Sequence, residues 1–144
     1  MPIKSFRGKI ADNGIDTIVL HTNTGSTGYR ITKFQLFAAA PGTSDVEHIV
    51  KIYKTPQTTA DGLVDFSNQT LLGVAFLPGK ATEFQQDDIV IFDNEIFNQD
   101  IYVTHADVGG APGSDVNYYI ELEQVKLDIG ENTVATLKDI RNQS

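Results

Sequence analysis

The stretch that decides the fold is 117-NYYIELEQVKLDIGENTVATLKDIRN-142, in which one continuous segment changes its hydrophobic period. In its first half, Tyr118, Ile120 and Leu122 alternate with other side chains, and this period of two is typical of a β-strand. We therefore predict a strand from Val116 to Leu127. The second half has the period of a helix, so the segment predicts a sheet strand that ends in a docking helix.

The alternation of the predicted strand is interrupted once. Leu122 and Val125 should share a face of the strand, yet an odd number of steps separates them. A β-bulge near Glu123-Gln124 would absorb the extra residue and redirect the chain.

The helical half predicts a short C-terminal α-helix over residues 128–142. Asp128 can cap the first free backbone N–H groups, and Glu131 stands at the reciprocal position of a capping box. A helix of this length is marginal in isolation, so its apolar stripe must be buried against another surface. That stripe consists of Val134, Leu137 and Ile140. The covering surface is either the domain's own sheet or a neighbouring subunit.

The segments before this stretch predict further strands. Two apolar runs between Ile3 and Leu20 flank Ala11-Asp12-Asn13-Gly14, a turn sequence that favours a β-hairpin. Val46 to Lys54 has apolar residues on both faces, as a central strand does. Thr55 to Gln69 is polar and contains Pro56 and Gly62, so we predict a long surface loop.

About eight short strands without helical patterns between them indicate an all-β protein with two antiparallel sheets. We predict a single domain over residues 1–144, an antiparallel two-sheet β-sandwich that is jelly-roll-like and carries the C-terminal helix.

The composition excludes several classes of function. The chain of 144 residues has a formal net charge of −8 and no cysteine, which removes thiol catalysis and cysteine-based zinc sites. Its eleven basic residues are scattered, so nucleic acid is not an expected partner. No apolar run is long enough to predict a membrane span, and no secretory signal is evident.

No spacing of residues predicts a catalytic site, a cofactor site or a metal motif. The histidines His21, His48 and His105 are far apart, and His48 shares an apolar strand face, which predicts a buried structural histidine. Acidic residues between Asp87 and Glu95 could hold Ca²⁺, but turn formation is the favoured explanation of them.

Aromatic side chains on a sheet face can pack in the core, stack on sugars or anchor a protein interface. The aromatic candidates are Tyr53, Phe97, Tyr102, Tyr118 and Tyr119. As partner-interface residues we select three of them together with the helix stripe: Tyr53, Tyr102, Tyr119, Val134, Leu137 and Ile140.

The two runs 117-NYYIELEQVKL-127 and 131-ENTVATLKDIR-141 resemble the C-terminal end of small virion structural proteins of marine tailed bacteriophages. The resemblance covers the last quarter of the chain, and the family offers no catalytic motif. It implies a non-enzymatic β-sandwich that serves as a capsid decoration or cement protein on the outside of the capsid.

The resemblance also implies the surroundings of the protein. The expected partner is the major capsid protein, the expected assembly is a homo-oligomer, with a trimer by analogy, and the expected location is the virion after synthesis in the host cytoplasm. The alternatives are a tail component and a carbohydrate- or calcium-binding β-sandwich module.

Overall fold

A computed structural model describes residues 3–20, 27–39, 46–79, 88–92, 95–109 and 114–126 of the chain. The predicted helix over residues 128–142 lies outside the described residues, and so do Val134, Leu137 and Ile140.

The described chain forms strands in two antiparallel sheets and contains no helix, which confirms the predicted all-β fold. The strands are β1 (Ile3–Ile10), β2 (Ile15–Ile18), β3 (Thr27–Ala38), β4 (Val46–Tyr53), β5 (Leu71–Gly79), β6 (Asp88–Ile91), β7 (Ile101–Asp107) and β8 (Val116–Lys126). One sheet has the order β1-β8-β3 and the other the order β2-β7-β4-β5-β6. The two sheets fit a sandwich, with one core between them.

Alternate residues of strands in both sheets fill this core. Side chains from β1, β3 and β8 meet side chains from β4, β5 and β7. The largest fully buried apolar residues are Ile10, Phe34, Ile52, Leu72, Phe97, Ile101, Ile120 and Leu122. Full burial of one such side chain contributes about 1.5–3 kcal/mol, so the packing of the two sheets supplies most of the stability of a chain without disulfides.

The predicted hairpin between Ile3 and Leu20 is wrong, although its turn forms. Asn13 has a φ of 63°, and the N–H of Gly14 donates to the carbonyl of Ala11 at 2.9 Å. β1 nevertheless pairs with β8 over its whole length, and β2 pairs with β7 in the other sheet. The turn therefore carries the chain from one sheet to the other, because a turn sequence fixes a local reversal and not the pairing of the flanking strands.

The bulge predicted near Glu123-Gln124 is also wrong, because the irregularity lies in the facing strand. Ile31 pairs with Leu122 and Lys33 with Glu121, so the extra residue is Thr32 of β3. β8 is the central strand of its sheet, and its continuous pairing with β1 holds it regular. An edge strand such as β3 can take up an additional residue without disturbing a second ladder.

β4 is a central strand that is buried on both faces, as its sequence predicts. It lies between β7 and β5, and Val50 and Ile52 face the sandwich core. Its other face carries Ile49, Lys51 and Tyr53, which are also buried. The chain between β4 and β5, predicted as a long loop, contains no strand and covers this outer face.

Candidate functional site

The loop over residues 54–70 is fastened to the five-stranded sheet by a buried lysine. The side chain of Lys51 is 3% exposed, and its Nζ donates to Asp61 Oδ1 at 2.9 Å and to the carbonyl of Leu63. A Cβ added at Gly62 would lie 2.6 Å from Cγ1 of Val108, so a larger residue would have to displace the Val108 side chain or move the loop. The loop is therefore a third layer on the sheet.

Short-range hydrogen bonds give the same loop a fixed shape. Asp65 Oδ1 accepts from the backbone N–H of Ser67 at 3.0 Å and from its hydroxyl. Asn68 Oδ1 likewise accepts from the backbone N–H and the hydroxyl of Thr70. The bonds from Ser67 hold the pKa of the Asp65 carboxyl below its ordinary value, and the bond from Lys51 does the same for the pKa of Asp61.

The ordered loop exposes apolar side chains to solvent. Leu63 is 72% exposed and Phe66 54% exposed, with Val64 between them and Val108 beside Gly62. Phe66 also packs edge-on against Phe92, with 5.3 Å between the ring centroids. We call Leu63, Val64, Phe66 and Val108 the loop surface. Large apolar side chains displayed together on an ordered surface are typical of a protein interface.

A second surface lies on the outer face of the three-stranded sheet. It is a groove of about 690 Å³ that crosses β1, β8 and β3 and is also lined by Ile89 of β6. Two rows of register partners supply its charged, amide and exposed aromatic side chains, and their members are Arg7, Tyr119 and Gln35 in one row and Lys9, Asn117 and Phe37 in the other. The rows join two cationic groups, two amides and two aromatic rings on one face.

The electrostatic character of the groove differs from that of the chain. Among the described residues that line it, Arg7 and Lys9 are cationic and none is acidic, while the chain as a whole carries −8. Two carboxylates lie next to the groove. Asp115 is 3.9 Å from Nζ of Lys9, and Glu121 Oε1 accepts from the hydroxyl of Tyr119 at 3.2 Å.

The histidines of β4 and β7, His48 and His105, form a buried pair. The pair contacts the turn between β1 and β2, which connects the two sheets. His48 Nδ1 lies 2.9 Å from His105 Nε2, and His105 Nδ1 lies 3.0 Å from the carbonyl oxygen of Ala11. Since a carbonyl oxygen only accepts a hydrogen bond, His105 Nδ1 carries a proton and donates it to Ala11. A second hydrogen, between His48 Nδ1 and His105 Nε2, makes the hydrogen bond between the two rings. Burial, and then the neighbouring His105, lower the pKa of His48. The predicted buried structural role of His48 is confirmed.

Asp107 at the end of β7 holds three backbone segments together. Its Oδ1 accepts from the N–H groups of Glu47 and Gly109, and its Oδ2 accepts from the N–H of Ser114 at 3.2 Å. Its own N–H donates to Asp12 Oδ1 at 2.8 Å. These bonds use both carboxylate oxygens, so Asp107 ties the start of β4 to the chain on either side of residues 110–113.

The predicted interface tyrosines fall on opposite sides of the molecule. Tyr53 and Tyr102 are register partners in the five-stranded sheet, where Tyr53 is buried and Tyr102 half-buried. Tyr119 is half-buried and lines the groove of the other sheet. Sequence reasoning missed Phe37 and the loop surface, although large apolar residues in a polar loop are a usable signal.

Neither a metal site nor a membrane span is found in the described chain. The described residues contain no cluster of three or more histidine, aspartate or glutamate side chains able to hold a metal ion. Asp87 of the calcium hypothesis lies outside them, and Glu95 Oε2 lies 3.4 Å from Lys54 Nζ. The described ranges contain no helix that is long and apolar enough to cross a membrane.

The chain was also compared with known proteins. Its sequence matches no protein-family model, and a search of curated proteins found no match.

Proposed function

We propose that the chain is a non-enzymatic virion structural protein, a decoration or cement protein that binds the outer capsid surface and stabilises contacts between capsomers. The observation that carries the proposal is the loop surface, an apolar patch on a loop held in place by Lys51. The resemblance of residues 117–141 to phage virion proteins supports the same role.

The mechanism is interfacial. Because the loop is already ordered by Lys51 and its internal hydrogen bonds, binding costs little additional conformational entropy. Burial of Leu63 and Phe66 against capsid subunits would contribute about 1.5–3 kcal/mol for each fully covered side chain. A ligand that binds the assembled shell and not its separated subunits stabilises the shell by mass action.

The strand order supports a jelly-roll topology for this domain. β1 pairs with β8, β2 with β7 and β4 with β5, and β3 also contacts β6. This nested arrangement is that of a long hairpin folded into two sheets, which is how a jelly roll is built. We further propose that residues 128–142 form the C-terminal helix, with Val134, Leu137 and Ile140 packed on the domain's own sheet or on a neighbouring subunit.

The proposed partner is the major capsid protein, and the proposed assembly is a homotrimer made in the host cytoplasm and carried on the capsid surface. Light scattering of the purified protein tests the trimer directly, and a monomeric mass under all conditions would exclude it.

The decoration role is tested by reconstitution. Capsids lacking this protein are incubated with the wild type or with Phe66→Ser, and their resistance to heat and osmotic shock is measured. We expect the wild type to bind and protect, and Phe66→Ser to bind at least about tenfold more weakly because about 1.4 kcal/mol or more of apolar burial is lost.

Ile3→Ser is the matched control, since Ile3 is 55% exposed and Phe66 is 54% exposed. Ile3 lies in β1 of the three-stranded sheet, away from the loop surface. The Ile3→Ser variant should therefore bind capsids as the wild type does. Undecorated capsids that resist heat and osmotic shock as well as decorated ones would refute the cement role.

A further inference from the structure

We propose that the groove across β1, β8 and β3 binds an acidic saccharide, with a uronic acid residue as the recognised unit. This inference rests on the groove alone and is independent of the capsid role. Nothing in the proposed decoration mechanism uses Arg7, Phe37 or Tyr119.

The register of the sheet sets the dimensions of the site. Arg7, Tyr119 and Gln35 stand side by side across three strands, which spans about 10 Å at the spacing of neighbouring strands. The second row is two residues further along, about 7 Å away at the rise of a strand. The groove volume of about 690 Å³ lies in the range of small-molecule sites.

The side chains in the two rows match the surface of a sugar acid. Phe37 is 67% exposed, so its ring is available to the apolar C–H face of a pyranose. Gln35 and Asn117 offer amide donors and acceptors to ring hydroxyls, as both are exposed or half-exposed. Tyr119 adds a second aromatic ring between Arg7 and Gln35 in the sheet.

The charges specify an acidic ligand. Arg7 is exposed and offers a planar set of donors suited to a carboxylate, and Lys9 lies on the same strand face. No carboxylate is found among the described lining residues, so Arg7 and Lys9 are the charged groups that an anion in the groove meets first. Glu121, bonded to Tyr119, and Asp115, near Lys9, limit how far the field of these two groups extends.

The test uses trigalacturonic acid as the probe and the uncharged maltotriose as its comparator, both titrated into the full chain by calorimetry in EDTA. We expect trigalacturonic acid to bind at least tenfold more tightly than maltotriose, with affinity falling as salt is raised. Arg7→Gln and Phe37→Ala should each weaken binding about tenfold, through the lost charge-assisted bond and the lost stacking surface.

Lys33→Gln is the matched control, because Lys33 is an exposed cation on the same face of β3 and does not line the groove. It should leave the affinity unchanged. Absence of trigalacturonic acid binding at millimolar concentration, equal binding of maltotriose, or equal weakening by Lys33→Gln would each overturn the proposal. A change of sedimentation coefficient in Arg7→Gln without an effect on saccharide binding would reassign the groove to self-association.

Discussion

The ring of Tyr118 occupies the space that a side chain at Gly8 would need. The two residues are register partners in β1 and β8, and a Cβ at Gly8 would lie 2.9 Å from the hydroxyl oxygen and 3.0 Å from Cζ of Tyr118. The same hydroxyl donates to Asp16 Oδ2 at 3.0 Å. Tyr118 of the three-stranded sheet is thereby bonded to β2 of the other sheet, and the absence of a side chain at Gly8 makes this possible.

Gly8→Ala should destabilise the protein by about 1–3 kcal/mol through this overlap. An alanine in an unobstructed strand would instead be neutral or stabilising, since it reduces the entropy of the unfolded chain. Chemical denaturation measures the change. In a Tyr118→Leu background the same substitution should cost much less, and a double-mutant cycle showing no coupling would contradict the overlap.

Removal of the hydroxyl in Tyr118→Phe should cost about 1 kcal/mol at neutral pH. Burial, and then the charge of Asp16, raise the pKa of Tyr118 above its ordinary value of 10.0. The unfolded chain therefore releases this proton first, and the contribution present below pH 10 is lost as the pH rises toward the folded pKa. Denaturation at increasing alkaline pH should show a decline that Tyr118→Phe lacks.

His48 should make the protein less stable in mild acid. Its pKa is lowered in the folded state from an ordinary value of 6.5, so between the two values the unfolded chain binds more protons. The free energy of unfolding should thus fall as the pH decreases from 6.5 toward the folded pKa. His48→Asn keeps a polar group facing His105 and cannot titrate, so it should flatten this slope.

Asp65→Asn is the control for the acid range. The pKa of Asp65 is lowered from 3.8, so its contribution is present above that value and is lost only at lower pH. Asp65→Asn should alter the free energy of unfolding only at the lowest pH values. It should leave unchanged the fall of that free energy near neutral pH. An undiminished decline near pH 6 in His48→Asn would assign the effect to another group.

The ion pair between the buried Lys51 and the exposed Asp61 should respond asymmetrically to substitution. Lys51→Met replaces a buried cation by an apolar side chain and should change the free energy of unfolding by no more than about 1 kcal/mol. Asp61→Ala leaves the ammonium of Lys51 buried without its carboxylate. Because Asp61 is 60% exposed, we expect a cost of about 1–2 kcal/mol, below that of a fully buried pair.

Hydrogen exchange separates stability from loop order in the same two variants. The N–H of Leu63 donates to Asp61 Oδ1, so its protection should fall in both. A Lys51→Met variant with a fully protected Leu63 amide and unchanged resistance of residues 54–70 to proteolysis would show that Lys51 does not hold the loop.

The sequence predicted those features that depend on local period. The alternation of Tyr118, Ile120 and Leu122 identified β8, and the two apolar faces of β4 identified a central strand. Pairing between distant segments was not predictable in this way. His48 and His105 are 57 residues apart, and only the register of β4 with β7 brings their rings together.

The errors have the same origin. The turn at Asn13 was recognised, but the partner of each flanking strand depends on β7 and β8, far along the chain. The loop was predicted, but its docking on the five-stranded sheet was not. From sequence alone, a lysine such as Lys51 is expected to be exposed. Its burial depends on Asp61 and on the small volume of Gly62.

The central position of β8 also has a consequence during synthesis. β1 and β3 both take their hydrogen-bonded partner from β8. After β3 is complete, the ribosome must still add the 88 residues from Ala39 through Lys126 (126 − 38) before the whole of β8 exists. At usual elongation rates this takes roughly 4 to 18 s. Throughout that interval the nascent chain presents the backbone of two incomplete strands, and chaperones that shield extended segments would act on this protein then.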